Sequence, residues 1–262
     1  MDRRLLLGIP FLLWFLFLVL APFGLILAAS FAEKDAFGNL TFGLHGGAFR
    51  DLFDPLYSQV LGRTLLFALL HTVATIAIAF PVAFFLSRLE RSEAGLYLTL
   101  LLIPFFTNFL IRLLSFMDVL RLQPFGLQLT FSFPGMLAAM LYNCLPFAIF
   151  PLYAALEKGP TALLEAAQDL GASKRRVFAR VLWPLTKRPV YAVSLLIFIP
   201  ALGEFLIPEL VGGGQSFFLG TFLHQQFLVS RNWPLGSAAI TLLLGLSVLM
   251  VAVGGKALEE NA

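Results

Sequence analysis

The run Glu157-Lys158-Gly159-Pro160-Thr161-Ala162-Leu163-Leu164-Glu165-Ala166-Ala167-Gln168-Asp169-Leu170-Gly171-Ala172-Ser173-Lys174-Arg175-Arg176-Val177-Phe178-Ala179-Arg180-Val181-Leu182-Trp183-Pro184 opens the longest hydrophilic stretch of the chain, which ends at Pro189. It predicts two consecutive helices. Pro160 suits a first helical position, Ala and Leu are strong helix formers, and Gly171 suits a left-handed stop. Ser173 can cap a second helix whose run 174–181 is amphipathic, with Pro184 and Pro189 marking its end or a kink. Two readings stay open from these residues alone: a surface hairpin whose positive charge serves topology, and an element that docks another protein.

What flanks this stretch decides the fold class. Apolar runs at 133–156 and 190–211 lie on either side, each near the roughly 20 residues a helix needs to cross a bilayer. Further runs at 5–29, 61–86, 96–116 and 234–253 bring the count to six. Composition agrees: 59% of the 262 residues are hydrophobic and 13% charged, and mean hydropathy is +0.89. Soluble domains carry about 45–50% apolar and about 25% charged residues. The expectation is an all-α polytopic membrane protein with six transmembrane helices, forming one domain over 1–262. The first run has a rival reading as a signal peptide, since Ala28, Ala29 and Ser30 end it. Its length is about twice a signal core of 7–15 residues, and Pro10, Trp14 and Pro22 are unusual there, which favours a retained span. Residues 31–60 read as an ordered loop with a short interfacial helix near Phe49–Tyr57, and Phe217–Val229 as a helix between the last two spans.

Other classes are excluded. Net charge is +3, too slight to argue for nucleic-acid binding. Cys144 is the single cysteine, so no intrachain disulfide is available. His45, His71 and His224 have no paired metal-ligand spacing. Gly254-Gly255-Lys256-Ala257 lacks the earlier Gly and the Ser/Thr of a nucleotide-binding loop. No Ser/His/Asp or His/Glu grouping has the spacing an intramembrane enzyme needs.

Basic residues in short loops set the orientation. With the N-terminus inside, the cytoplasmic side holds Arg3, Arg4, Arg88, Arg91, Lys158, Lys174, Arg175, Arg176, Arg180, Lys187, Arg188 and Lys256, and the outside Lys34, Arg50, Arg63, Arg121 and Arg231. Both termini are therefore expected in the cytoplasm, and so is the 157–189 loop between helices 4 and 5.

Glu165-Ala166-Ala167, three residues, Gly171, nine residues and then Val181-Leu182-Trp183-Pro184 resemble the EAA signature of ABC importer permeases. The family pattern usually ends in Ile-x-Leu-Pro, from which Val181 departs mildly and Trp183 clearly. The resemblance implies that Glu165, Ala166, Ala167 and Gly171 belong to a coupling helix that seats in a groove of an ATPase subunit. The stretches Asp54–Tyr57, Ile103–Arg112, Leu145–Phe147, Pro151–Tyr153, Pro200–Gly213 and Asn232–Ala238 resemble the spermidine/putrescine (polyamine) permeases, in particular their first, B-type, subunit. The likeness runs from about residue 50 to 250. One segment departs from it: between Arg112 and Phe133 this chain is roughly a dozen residues shorter, in a loop expected to face the binding protein.

The resemblance implies a bacterial inner-membrane permease that moves polyamines inward by alternating access and does no covalent chemistry. ATP and Mg would be bound by a cytoplasmic ABC ATPase in two copies. A second six-span permease and an extracytoplasmic substrate-binding protein complete the implied assembly, with membrane lipid around it. Related permeases serve aminophosphonates, opines, thiamine or ferric iron. An ATP-independent transporter or channel is a further alternative, against which the EAA-like loop argues.

Ionisable groups at bilayer depth cost about 2.5–3.5 kcal/mol on insertion scales, so they face a cavity or a partner. Glu204 lies mid-span and Glu209 about a turn and a half later, beyond Pro208, so both could approach a substrate pathway from nearby faces. For a substrate with several ammonium groups, carboxylates and aromatic faces are the natural counterparts. Glu204 therefore has two open readings, a pathway carboxylate or an ion pair with Arg112. Arg112 and Asn108, one helical turn apart, either line the cavity together or bind helices to one another. Asp118 reads as a solvated loop charge.

Overall fold

The structure is a computed structural model describing residues 10, 12–35, 40–159, 161–213 and 217–259. Arg3, Arg4 and the start of the expected first span, with Gly38, Pro160, Gly214 and Glu260, lie outside the described residues. In chain order the elements are α1 (Leu12–Ser30), β1 (Glu33–Lys34), β2 (Leu40–Thr41), α2 (Gly47–Asp51), α3 (Pro55–Leu86) and α4 (Arg91–Leu102). A 3-10 turn, Ile103–Phe106, leads to α5 (Phe109–Arg121), α6 (Phe133–Glu157) and α7 (Thr161–Asp169). The chain ends with α8 (Lys174–Gly203), α9 (Leu206–Leu210), α10 (Leu219–His224) and α11 (Trp233–Glu259).

Among the described residues, five helices are long and apolar enough to cross a membrane: α1, α3, α6, α8 and α11. A sixth span exists only if α4 and α5 count as one, and they meet at 98°. The expected straight span 96–116 is thus corrected to a broken one. Pro104 leaves the chain without a donor where the 3-10 turn forms, and Thr107 is extended (ψ 154°). Asn108 then starts a new helix, its Oδ1 accepting from Leu110 N at 2.8 Å.

Three other boundaries move for equally local reasons. The second span begins at Pro55 rather than 61, because Asp54 caps it (Leu56 N donates to Oδ1, 2.9 Å) and Pro55 takes the first helical position. Tyr57 therefore belongs to α3, and the interfacial helix shrinks to α2. The helix of the fifth span does not run 190–211. The helix starts upstream at Lys174 and ends at Gly203, because continuing it would drive the Pro208 ring into the Glu204 carbonyl. Pro184 does not end the preceding helix either. A π turn, Phe178–Leu182, closes with Trp183 N donating to Phe178 O, and this wider turn admits the proline that follows.

The chain divides into two compact units, with boundaries inside α3 and α11. The first comprises residues up to Gly62 and Leu219–Val253. It contains the β1–β2 hairpin, pairing Glu33 with Thr41 and Lys34 with Leu40. Lys34 Nζ donates to Ser230 O at 3.1 Å, and the Tyr57 and Phe222 rings meet edge-on at 5.2 Å. As expected, residues within 217–229 are helical, in α10 and a π turn, Gln225–Val229.

The second unit comprises Arg63–Phe218 and residues from Gly254 onward. α6 and α8 pack along each other, and α4, α5 and α9 each touch α6. Ala79 and Ala83 of α3 and Ala148 of α6 are fully buried beside Ile149, Leu152, Val190, Val193 and Ile197. Small residues at these positions let helix backbones approach closely, which is where packing energy comes from in a bilayer. Gly254 works the same way: a Cβ there would overlap the Tyr191 ring. In the Gly254-Gly255-Lys256 run, Gly254 is thus a helix contact, while Gly255 and Lys256 are exposed.

Candidate functional site: a polar cavity and an anchored helix

Within the second unit a cavity of about 620 Å³ is walled by α5, α6, α8 and the two chain breaks. Its polar lining is Thr107, Arg112, Asn143, Cys144 and Glu204, set among Phe105, Phe109 and Phe147. The Phe105 and Phe147 rings meet edge-on at 5.7 Å. Aromatic faces beside a few polar groups suit an organic cation.

Arg112 is held in detail. Its Nε and Nη2 donate to Asn143 Oδ1 at 3.2 and 2.9 Å, its Nη1 donates to Pro104 O at 3.3 Å, and its guanidinium lies 4.1 Å above the Phe105 ring. Asn143 is 6% exposed and donates its own Nδ2 to Ala139 O at 2.9 Å, which aims Oδ1 at the arginine. Sequence reasoning missed Asn143. Its signal was present, since a lone amide inside the apolar run 133–156 needs a partner at that depth.

Glu204 stands at the end of α8, where its Oε1 accepts from Leu206 N (2.9 Å) and Ile207 N (3.3 Å) and so caps α9. Among the described residues no ion pair joins Glu204 to Arg112, although both line the same cavity. Asn108 and Arg112 do not make a shared polar strip: Asn108 is exposed and spends its side chain on the cap, while Arg112 turns to α6. Glu209 is exposed on α9 and does not line the cavity. Asp118 is exposed, accepting from Arg121 Nη1 at 2.9 Å.

The second feature is α7. Leu164 is 3% exposed and belongs to the core built from α3, α6 and α8, with Ala167 packed partly against it. Glu165 and Ala166 on the same helix are exposed, as are Leu163 and Leu170. The helix stops as a Schellman motif: Ala172 N donates to Ala167 O (3.1 Å), Gly171 N to Gln168 O (2.8 Å), and Gly171 has φ +81°. A left-handed position there would cost a non-glycine about 1–2 kcal/mol. Ser173 occupies the next N-cap position, but its side chain makes no capping bond. Beside α7 lies a groove of about 690 Å³ in which Glu165 Oε1 sits 3.9 Å from Arg88 Nη1. A second ion pair, Arg91 Nε to Glu157 Oε1 at 3.1 Å, joins the 88–91 turn to the end of α6.

Apolar helices that wall a cavity with a few polar groups and hold a short helix against their core are the architecture of a permease. Residues 62–260 match the family described as the binding-protein-dependent transport system inner membrane component, and this chain belongs to it. It is a multi-pass inner-membrane protein. The chain is 37% identical over 252 residues (90% of this chain, 86% of the relative) to the spermidine/putrescine transport system permease protein PotB of Haemophilus influenzae. It is 34% identical over 266 residues (95% and 96%) to the PotB protein of Escherichia coli strain K12. Among solved structures, a chain of the bacterial alginate ABC transporter, crystallised with an alginate pentasaccharide-bound periplasmic protein, superposes with a TM-score of 0.73 at 14% identity, covering 95% of this chain and 91% of that one. At that identity the likeness speaks to the fold.

Proposed function

We propose that this chain is one of two permease subunits of an ATP-driven importer of polyamines, and that the cavity beside Glu204 is part of the route. The observation that carries the reading is a carboxylate and three phenylalanines lining one cavity of about 620 Å³. The similarity to two spermidine/putrescine permeases along nearly the whole chain supports it. One such chain makes half a pathway, so a second permease completes it, and an extracytoplasmic binding protein delivers the amine. Both termini and α7 lie on the cytoplasmic side, where the twelve basic residues favour them. The chain itself performs no reaction. ATP and Mg act in two copies of a separate ATPase, whose closure reaches the bundle through Glu165, Ala166, Ala167 and Gly171.

The anchoring of α7 supports that last step. Leu164 fixes the helix to the core while Leu163, Glu165, Ala166 and Leu170 face outward. A push on the exposed side therefore arrives at α3, α6 and α8 together. The equilibrium between two pathway shapes is what ATP and the loaded binding protein bias.

The test is a tagged pull-down in mild detergent, comparing wild type with Glu165→Arg and Arg88→Ala. Wild type is expected to retain an ATPase and a second permease. Charge reversal should lose the ATPase and keep the permease, while Arg88→Ala, which spares Glu165, keeps both. Absence of any ATPase from the wild type across several detergents would sink the importer reading. Uptake of labelled spermidine by the reconstituted assembly tests the substrate.

A further inference from the structure

We propose that the Phe105 ring and Asn143 Oδ1 of the cavity wall, with the neighbouring Pro104 carbonyl, form an ammonium subsite, and that Arg112 is its resident cation, displaced when an ammonium group of the transported amine enters. This rests on the polyamine reading above.

The chemistry of the cradle is that of a cation site built without a carboxylate. Among the described residues, two aromatic faces, Phe105 at 4.1 Å and Phe109 at 5.7 Å, and two neutral oxygens at 2.9–3.3 Å hold the guanidinium. Those groups accept any organic cation of similar size. Two cations cannot share them, since like charges at contact distance repel. Entry of an ammonium is therefore an exchange, one positive charge for another, and leaves the cradle's electrostatic balance unchanged. Asn143 is prepared for that exchange. Its Nδ2 bond to Ala139 O lies within its own helix, so Oδ1 stays aimed at the cavity whether or not Arg112 is there.

Two placements complete the argument. Glu204 lines the same cavity, so an amine with two or more charges can put one at the carboxylate and another in the cradle. Arg112 also borders a second cavity, of about 420 Å³, with Thr107, Ser115 and Tyr142 in its wall. The displaced guanidinium has room and hydroxyl acceptors on that side. A multi-charged amine gains both sites and can evict the arginine, whereas a single-charged one gains the cradle alone. The resident cation is then a selectivity device.

Cys144 supplies the readout, being the only cysteine of the chain and part of the cavity wall. In the assembled transporter with cysteine-free partner subunits, its modification by a methanethiosulfonate reagent is followed against increasing spermidine and, separately, millimolar guanidinium ion. Arg112→Gln is expected to lower the half-protecting concentration of both, about tenfold if the cradle is vacant about a tenth of the time in the wild type. An unchanged or higher concentration of guanidinium in the variant overturns the proposal and leaves Arg112 a structural tie between α5 and α6. Guanidinium protection without any spermidine protection retains the cradle and rejects the polyamine reading. Should Arg112→Gln fail to assemble, Arg112→Lys, which lacks the fork for two bonds to Asn143, should lower the guanidinium value about threefold, part of the same release; no change overturns the proposal.

Discussion

The cavity and the groove beside α7 each hold one glutamate and one arginine, and they use them in opposite ways. In the cavity every charged group is fixed by nearby backbone or amide: Glu204 by two N–H groups, Arg112 by Asn143 and Pro104. In the groove Glu165 reaches Arg88 only at 3.9 Å, with its side chain 66% exposed. What is rigid there is Leu164, one residue away. Polar groups at membrane depth must be satisfied inside the chain, whereas a charge at the rim can stay available to another protein. The molecule thus fixes its cavity by polar bonds and its rim helix by an apolar anchor.

The largest expected effect strikes the apolar anchor. Leu164→Asp places a charge in the core, and α7 should leave it. Trypsin cleavage at Lys174–Arg176 in detergent should accelerate more than tenfold, and Leu164→Ala should follow it with a cost of about 2–5 kcal/mol. Unchanged cleavage in both would break the distinction between an anchored helix and a loose one.

Glu204 sharpens the other side. Glu204→Gln keeps a capping oxygen and removes the charge, so thermal stability should hold while spermidine uptake by the reconstituted assembly falls about tenfold, the change expected for 1.4 kcal/mol of lost attraction. Glu204→Ala should lose the same uptake and also about 1 kcal/mol of stability through the cap. If Gln transports like wild type, the carboxylate is a cap and nothing more.

Gly171→Ala should cost about 1–2 kcal/mol, the strain of a left-handed residue, read as a lower midpoint for local unfolding of α7 by hydrogen exchange. The smallest effect belongs to the rim. A double-mutant cycle on Arg88 and Glu165 should return a coupling below about 1 kcal/mol that salt weakens. A larger, salt-resistant value would make the groove as preorganised as the cavity.

Much of this was legible in the residues. Apolar runs located the spans because crossing a bilayer needs length and hydrophobicity, which sequence displays directly. Gly171 and the 161–169 helix were readable because stop signals are local. The break at 107–108 was not, since hydropathy is blind to a bend between two apolar halves; Pro104 and Asn108 were the only hints. Glu204 and Arg112 were singled out as charges in need of a cavity or a partner, and both are half-buried in the wall of one cavity, yet their hydrogen-bond partners were hidden. Asn143 lies 31 positions from Arg112, and only packing brings them together. Of the two readings open for Glu204, the structure shows no pairing with Arg112 among the described residues: Glu204 bonds to the start of α9 and Arg112 to an amide.

The π turn at Phe178–Leu182 has a consequence for evolution and engineering alike. A turn closed over five residues holds about one more than a regular helix, so Lys174–Val177 are out of phase with the rest of α8 by roughly 100°. Lys174, Arg175 and Arg176 therefore point where an uninterrupted helix would not send them. Deleting one residue from that turn would rewind the helix and carry the basic end around its axis. Substitutions within α7 can change the face it exposes, but the length of 178–182 sets the compass bearing at which the basic end is offered.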